Sequence, residues 1–434
     1  MAFLMDISLL MLNTLILGFA NPFFWLVVFI VFMQYRRTVN MEKKLFGQAI
    51  NNVWWQTLYS IIYGLIGGLF GSVFLLVLGI SLDSIGIGYL WPVAIILFLF
   101  NPRFLCFAYA GGIVAAVSLV LRAVHPLFPV LGEITLLSGL LNIHLPSLLA
   151  LVGILHLTEA LLIYISGHKG ASPIYIKTSS GVVVGGYSMQ RFWPLPLMGL
   201  WAMIVADTSS AFVGSIPMPE WWPLLGTVMS PGGGEKILYM MLPLVAGLGY
   251  SDLAVSTHPN DKRVKTARYL AAYSIVLSAA AIWAVYWPPM VVPAALLAPL
   301  GHELLIKKGN QEEFSRPPLF TSTDQGLKVM AIVPGSPAEK AGLREGDLVT
   351  AVNRLIVYSE QHFLEMLRIH YHQALLTIYR DGREVFLPAK IYPVPVSHFG
   401  AVFTPGKMPR VYVEMKHSPV WKRWGRRSPS EQQD

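Results

Sequence analysis

The sequence predicts an α-helical membrane bundle of about nine transmembrane helices, followed by a small α+β domain. Three observations predict it. Hydrophobic residues make up 54% of the 434 and charged residues only 13%, against roughly 25% charged in a soluble domain. The mean hydropathy is +0.56, and apolar surface on that scale needs lipid as its solvent. Lys and Arg number 16 in residues 1–308 and again 16 in the much shorter stretch 309–434. That shift sets the main boundary near Lys307-Lys308, dividing a polytopic transmembrane domain (1–308) from a small domain (315–392) and a basic C-terminal tail (393–434). The composition excludes disorder as the main state and excludes a purely soluble enzyme. The single cysteine, Cys106, excludes a disulfide framework and a CxxC metal site.

Apolar stretches long enough to span run over 10–34, 57–80, 86–101, 104–122, 146–166, 192–208, 237–255, 268–286 and 289–306. The stretch 123–145 is apolar but broken by prolines and reads as a re-entrant hairpin or a pair of short helices. Residues 216–231, with Trp221-Trp222-Pro223, read as an interfacial segment. The first span lacks a basic leader and a cleavage site, so it is expected to stay as an anchor. With nine spans, Arg36, Arg37, Lys43, Lys44, Arg103, Lys169, Lys177, Arg191, Lys262, Arg263, Lys265, Arg268, Lys307 and Lys308 fall on one side. Only Arg122 and Lys236 fall on the other. The positive-inside rule then puts the N-terminus outside and residues 309–434 in the cytoplasm, in a multi-pass protein of the cell membrane.

The net charge of +8 is thereby explained as topology and contact with anionic lipid. No basic face with interleaved aromatics indicates nucleic acid, so none is expected as a partner. The patch Lys422-Arg423-Trp424-Gly425-Arg426-Arg427 reads mainly as a solvated tail, with lipid-surface contact the lesser reading.

The C-terminal domain reads as short strands and one helix. Leu327 to Val333 is rich in β formers. Pro334-Gly335-Ser336-Pro337 is a turn, and Ala338 to Leu343 one helical turn. Leu348 to Val352 is a strand. Ser359 caps a helix over 360–370, with Phe363, Leu364 and Leu367 on its apolar stripe. Ala374 to Tyr379 and Glu384 to Leu387 form a hairpin about Asp381-Gly382.

These residues carry a resemblance. The ordered pattern Gly326-Leu327-Lys328-Val329, Gly335-Ser336-Pro337-Ala338, Ala341-Gly342-Leu343 and Gly346-Asp347 is similar to the core of a bacterial-type PDZ domain. The resemblance implies binding of an extended peptide as an added strand beside a helix. It implies a receiving strand before Gly326, at Leu319, Phe320 and Thr321, facing Phe363, Met366 and Leu367. The bland reading, in which these apolar side chains only fill the small domain, is favoured for Leu364 and Leu367. It weighs equally for Leu319, Phe320 and Phe363.

Catalytic motifs are incomplete. His302-Glu303-Leu304-Leu305-Ile306 has Ile306 where a zinc-protease HExxH helix needs its second histidine. His258-Pro259-Asn260-Asp261 only echoes a metal-binding aspartate motif. GNSGG-like and GxSG serine motifs are absent. No catalytic residue and no cofactor are expected. His156 and Glu159 share a helix face at i, i+3 inside a span, where ionisable groups are costly. They read as a packing pair or, less favoured, a proton or ligand path. A metal site at His156, Glu159, His302 and Glu303 is weighed and not adopted. Gly64, Gly67, Gly68 and Gly71 permit close helix packing. Gly185-Gly186 reads as a hairpin or small re-entrant element.

The whole layout resembles the PDZ-bearing polytopic membrane proteins of Gram-positive bacteria, the MinJ-type division-site determinants. The resemblance implies a non-enzymatic scaffold that recruits protein partners through its PDZ domain. Its implied partners are Min-system and pole or septum proteins, in the lipid bilayer of the cell membrane. The alternative is a protease-like or transport protein with a regulatory PDZ domain.

Overall fold

The chain opens with α1 (Ala2–Ala20) and α2 (Pro22–Phe46). Asn21 caps α2 by accepting from the Phe23 N–H at 2.9 Å, and Pro22 takes the first helical position, where no N–H is needed. The two helices meet at a 58° bend, so the first expected span is broken. The computed structural model describes residues 2–178, 181–208, 215–406 and 412–414. The patch at Lys422 lies outside them.

Helices α3 (Val53–Leu78), α4 (Ile87–Phe100), α5 (Phe107–Val124), α6 (Thr135–Leu141) and α7 (Leu145–Ser166) follow. A 3-10 turn over Pro129–Gly132 and the short α6 fill the proline-broken stretch. Then come β1 (Ser172–Lys177), β2 (Val183–Ala206), β3 (Glu235–Ala254), α8 (Pro259–Tyr286) and α9 (Val291–Phe314). Among the described residues, five helices are long and apolar enough to cross a membrane, or six with the bent pair taken as one span. Exposed Phe29, Leu69, Val276 and Leu300 lie on such helices. Large apolar side chains turned outward in this number suit lipid.

The expected helical spans at 192–208 and 237–255 are corrected here. They form one long antiparallel hairpin, β2 with β3, paired from Tyr187↔Ala254 to Ala206↔Glu235. Length and apolarity do not separate helix from strand. Pro194, Pro196 and Pro243 do, because each would remove a hydrogen bond from a helix interior.

Along β2 the edge turned away from β3 is met by α2, α3 and the loop after α3. Phe192 donates its N–H to Tyr35 Oη at 3.2 Å, Met198 to Ser72 Oγ at 2.9 Å and Ala202 to Asp83 Oδ1 at 3.0 Å. Leu82 donates its N–H to the Leu200 carbonyl at 2.8 Å. Pro194 and Pro196 have the same phase and no N–H to place. A Cβ on Gly64 would sit 2.0 Å from the Pro194 oxygen, and one on Gly68 2.2 Å from the Pro196 oxygen. The glycine face of α3 thus packs against a strand backbone, close enough for Cα–H···O contacts. Its Gly67 packs against Leu162 of α7. Gly185-Gly186 lies within β2.

The C-terminal domain contains β4 (Leu327–Ile332), α10 (Pro337–Lys340), β5 (Leu348–Val352), β6 (Leu355–Ile356), α11 (Glu360–Ile369), β7 (Ala374–Arg380), β8 (Arg383–Ala389) and β9 (Ala401–Phe403). The sheet runs β8-β7-β5-β4-β9, with β6 beside β5. β9 lies beyond residue 392, so the expected domain end is corrected: the sheet continues into what was assigned to the tail. A short β10 (Val413–Glu414) pairs in parallel with β1. The two parts of the chain touch. Gly185 donates its N–H to the Phe320 carbonyl at 2.8 Å, and the Tyr187 hydroxyl donates to the Met330 carbonyl.

Candidate functional site

Turn chemistry places the C-terminal domain's elements. Gly335, Gly342 and Gly346 take φ of +76°, +83° and +89°, which any side chain would strain. Ser336 caps α10 by accepting from the Glu339 N–H at 3.3 Å. Asp347, 2% exposed, accepts from Arg380 Nε and Nη2, both at 2.7 Å, and from the Arg344 N–H at 2.7 Å. The hydrogen bonds to Asp347 hold the Arg380 guanidinium above its usual range. Ser359 caps α11 by accepting from the His362 N–H at 3.1 Å. Asp381 and Gly382, at φ +50° and +75°, make the tight β7–β8 turn.

The groove lies between α11 and β9. Phe363 is fully buried and packs edge-on against Phe399 and Phe403, with ring centroids 5.5 and 5.1 Å away. Beside them is a cavity of about 130 Å³, lined by Glu360 and Leu364 of α11, Ala401 and Phe403 of β9, and Phe46 at the end of α2. β9 is an edge strand. Val333 donates to the Gly400 carbonyl and Thr404 donates to that of Lys328, so residues 400 and 404 face β4. Ala401 and Phe403 therefore turn their N–H and C=O groups toward the groove. One of these groups is taken: the Tyr175 hydroxyl donates to the Phe403 carbonyl at 2.9 Å. Burial pushes the Tyr175 phenol up, further from ionisation. Its ring meets Phe46 edge-on at 5.3 Å, so the membrane part walls one side of the groove.

Leu319, Phe320 and Thr321, expected to receive a peptide, are not among the residues that line this groove. Leu319 donates its N–H to the Val255 carbonyl at 2.9 Å. Phe320, 5% exposed, bridges Gly185 of β2 and packs on Tyr187. Thr321 is exposed. Leu319 and Phe320 thus join to the membrane part, and β9 lines the groove edge. Strand pairing is non-local, and the cue in sequence was the apolar Ala401-Val402-Phe403 after Gly400. Of the expected helix residues, Phe363 and Leu367 are core, while Met366 is partly buried.

A PDZ domain family model matches residues 328–380. Over 356 residues the chain is 26% identical to the cell division topological determinant MinJ of Bacillus subtilis (strain 168), covering 81% of this chain and 84% of that protein. The chain contains a PDZ domain and is similar to MinJ over most of its length. The PDZ match ends before β9, and the likeness to MinJ extends well beyond it into the membrane part.

The intramembrane polar residues also gather. His156 of α7, 3% exposed, donates from Nδ1 to the Val152 carbonyl at 2.7 Å. A carbonyl only accepts, so that nitrogen carries the proton. Its Nε2 faces Cys106 Sγ at 3.1 Å. His302 Nε2 lies 3.8 Å from the same sulfur, and the two imidazole rings meet at 5.1 Å. Glu303 pairs with Arg103, accepts from the Tyr109 hydroxyl at 2.8 Å and has Lys307 at 3.8 Å. Among the described residues, the hydrogen-bonded contacts of His156 go to Val152 and Cys106, not to Glu159. Sequence reasoning did not join Cys106 to the two histidines, because they lie 50 and 196 residues away.

Proposed function

We propose that the chain is a non-enzymatic integral scaffold of the cell membrane, with its PDZ domain in the cytoplasm and its N-terminus outside. It recruits a division-related protein, of the Min system or the pole and septum, by adding an extended peptide to β9 beside α11. The observation that supports this most is the edge strand facing a cavity of mixed polarity beside an amphipathic helix, the arrangement that β-strand addition requires. The likeness to a division determinant supports the cellular role. The basic residues near the ends of α2, α7 and α9 lie toward the PDZ side, in keeping with the proposed orientation.

Live imaging of a functional full-length fluorescent fusion tests the proposal. Wild-type protein is expected to concentrate at septa or poles. Leu364→Asp, which puts a charge into the groove wall, is expected to spread evenly over the membrane at unchanged abundance. Uniform wild-type signal with normal division on deletion would overturn the reading.

A further inference from the structure

We propose that Cys106, His156 and His302 form a binding site for a divalent transition-metal ion of the zinc class, joining α5, α7 and α9. The Cys106 Sγ and one ring nitrogen of each histidine all lie within 4.8 Å of one another. Tetrahedral zinc, with bonds of about 2.3 Å to sulfur and about 2.0–2.1 Å to nitrogen, sets sulfur–nitrogen separations of about 3.6 Å. The two observed separations, 3.1 and 3.8 Å, bracket that value.

The chemistry of each donor fits. The Val152 carbonyl fixes the proton of His156 on Nδ1, which leaves the Nε2 lone pair directed at the site. Such backbone carbonyls commonly orient metal-bound imidazoles. His302 Nδ1 is buried without a hydrogen-bond partner among the described residues, and the ring is held edge-on against Tyr109 and His156. Its Nε2 points at Cys106. Cys106 caps α5, and the Ala108 N–H reaches its sulfur at 3.4 Å, a hydrogen bond that supports the charge of a metal-bound thiolate. One thiolate with two imidazoles selects zinc-like ions over magnesium or calcium, which prefer oxygen ligands. Glu303 is not counted as a ligand, because Arg103 and Tyr109 hold it. Three protein donors leave a fourth position for water. Binding replaces the Cys106 S–H bond with a sulfur–metal bond and releases that proton to solvent.

The test uses the full chain in lipid nanodiscs, stripped with a chelator and titrated with Co²⁺ alone, then with Zn²⁺. The expected result is one Co²⁺ per chain with a near-ultraviolet sulfur-to-cobalt charge-transfer band that Zn²⁺ abolishes. About one proton is released per ion. Cys106→Ser loses the band, and His302→Asn weakens binding by about 100-fold or more, since even outer-shell partners are worth 10–100-fold. Cys106 is the sole cysteine, so its alkylation rate in unaltered protein reads the same site without a variant. Zn²⁺ is expected to slow it at least about tenfold. Absence of saturable binding, an unchanged band in Cys106→Ser, or alkylation indifferent to Zn²⁺ would each overturn the proposal.

Discussion

Along β2, between Phe192 and Ala202, the edge turned to α3 offers little that another strand can use. Two of its residues are prolines, and the amides of Phe192, Met198 and Ala202 are taken by Tyr35, Ser72 and Asp83. The edge of β9 differs. It faces a cavity, and the Phe403 carbonyl on that edge accepts from the Tyr175 hydroxyl. Both edges belong to apolar strands beside a helix. The difference lies in whether the helix comes close enough to use the edge. Glycines let α3 close onto β2, whereas α11 meets β9 through the large rings of Phe363 and Phe403, with the cavity beside them. One edge is thereby architecture and the other a candidate receptor.

The largest expected effect breaks the closed edge. Gly68→Val places methyl groups where a Cβ alone would already sit 2.2 Å from the Pro196 oxygen. A backbone atom cannot turn aside as a flexible side chain can, so loss of monodisperse protein on size exclusion in detergent is expected. Normal yield and melting would mean that α3 and β2 do not pack in this way. A smaller effect is expected for Ser72→Ala. It leaves the Met198 N–H without its acceptor, at about 1–3 kcal/mol for a buried unmet donor. Retained assembly with a lower melting temperature is the expected reading, and unchanged melting would show that this edge needs no acceptor. The smallest effect sharpens the other half of the comparison. Tyr175→Phe frees the Phe403 carbonyl for an incoming peptide. A net hydrogen bond is worth about 1 kcal/mol, so capture by the full-length protein should tighten roughly fivefold. Weaker capture would show that Tyr175 helps to form the groove rather than competing for it.

The legible parts of the sequence were those with local causes. Gly335, Gly346 and Asp381-Gly382 mark turns through backbone geometry, so the PDZ elements could be placed from sequence. The apolar runs marked the membrane part. The hairpin was hidden because 192–208 and 237–255 are apolar on every face, leaving no periodicity to distinguish strand from helix. The overlooked signal was Pro194 and Pro196, two apart, which place two missing donors on one strand edge. The groove strand and the Cys106, His156 and His302 cluster were hidden for a different reason. Both depend on residues brought together across long sequence separations.

The proline-edged hairpin also constrains how the chain can be made. A strand pair entering lipid alone would carry the Phe192, Met198 and Ala202 amides with no acceptor, and unmet backbone groups in hydrocarbon cost several kcal/mol each. Tyr35, Ser72 and Asp83, which supply those acceptors, all precede β2 in the sequence. During synthesis from the N-terminus, α2, α3 and the loop after α3 emerge before the strand that needs them. The order of translation therefore delivers the template first, and the hairpin can be laid onto an α3 already in the bilayer.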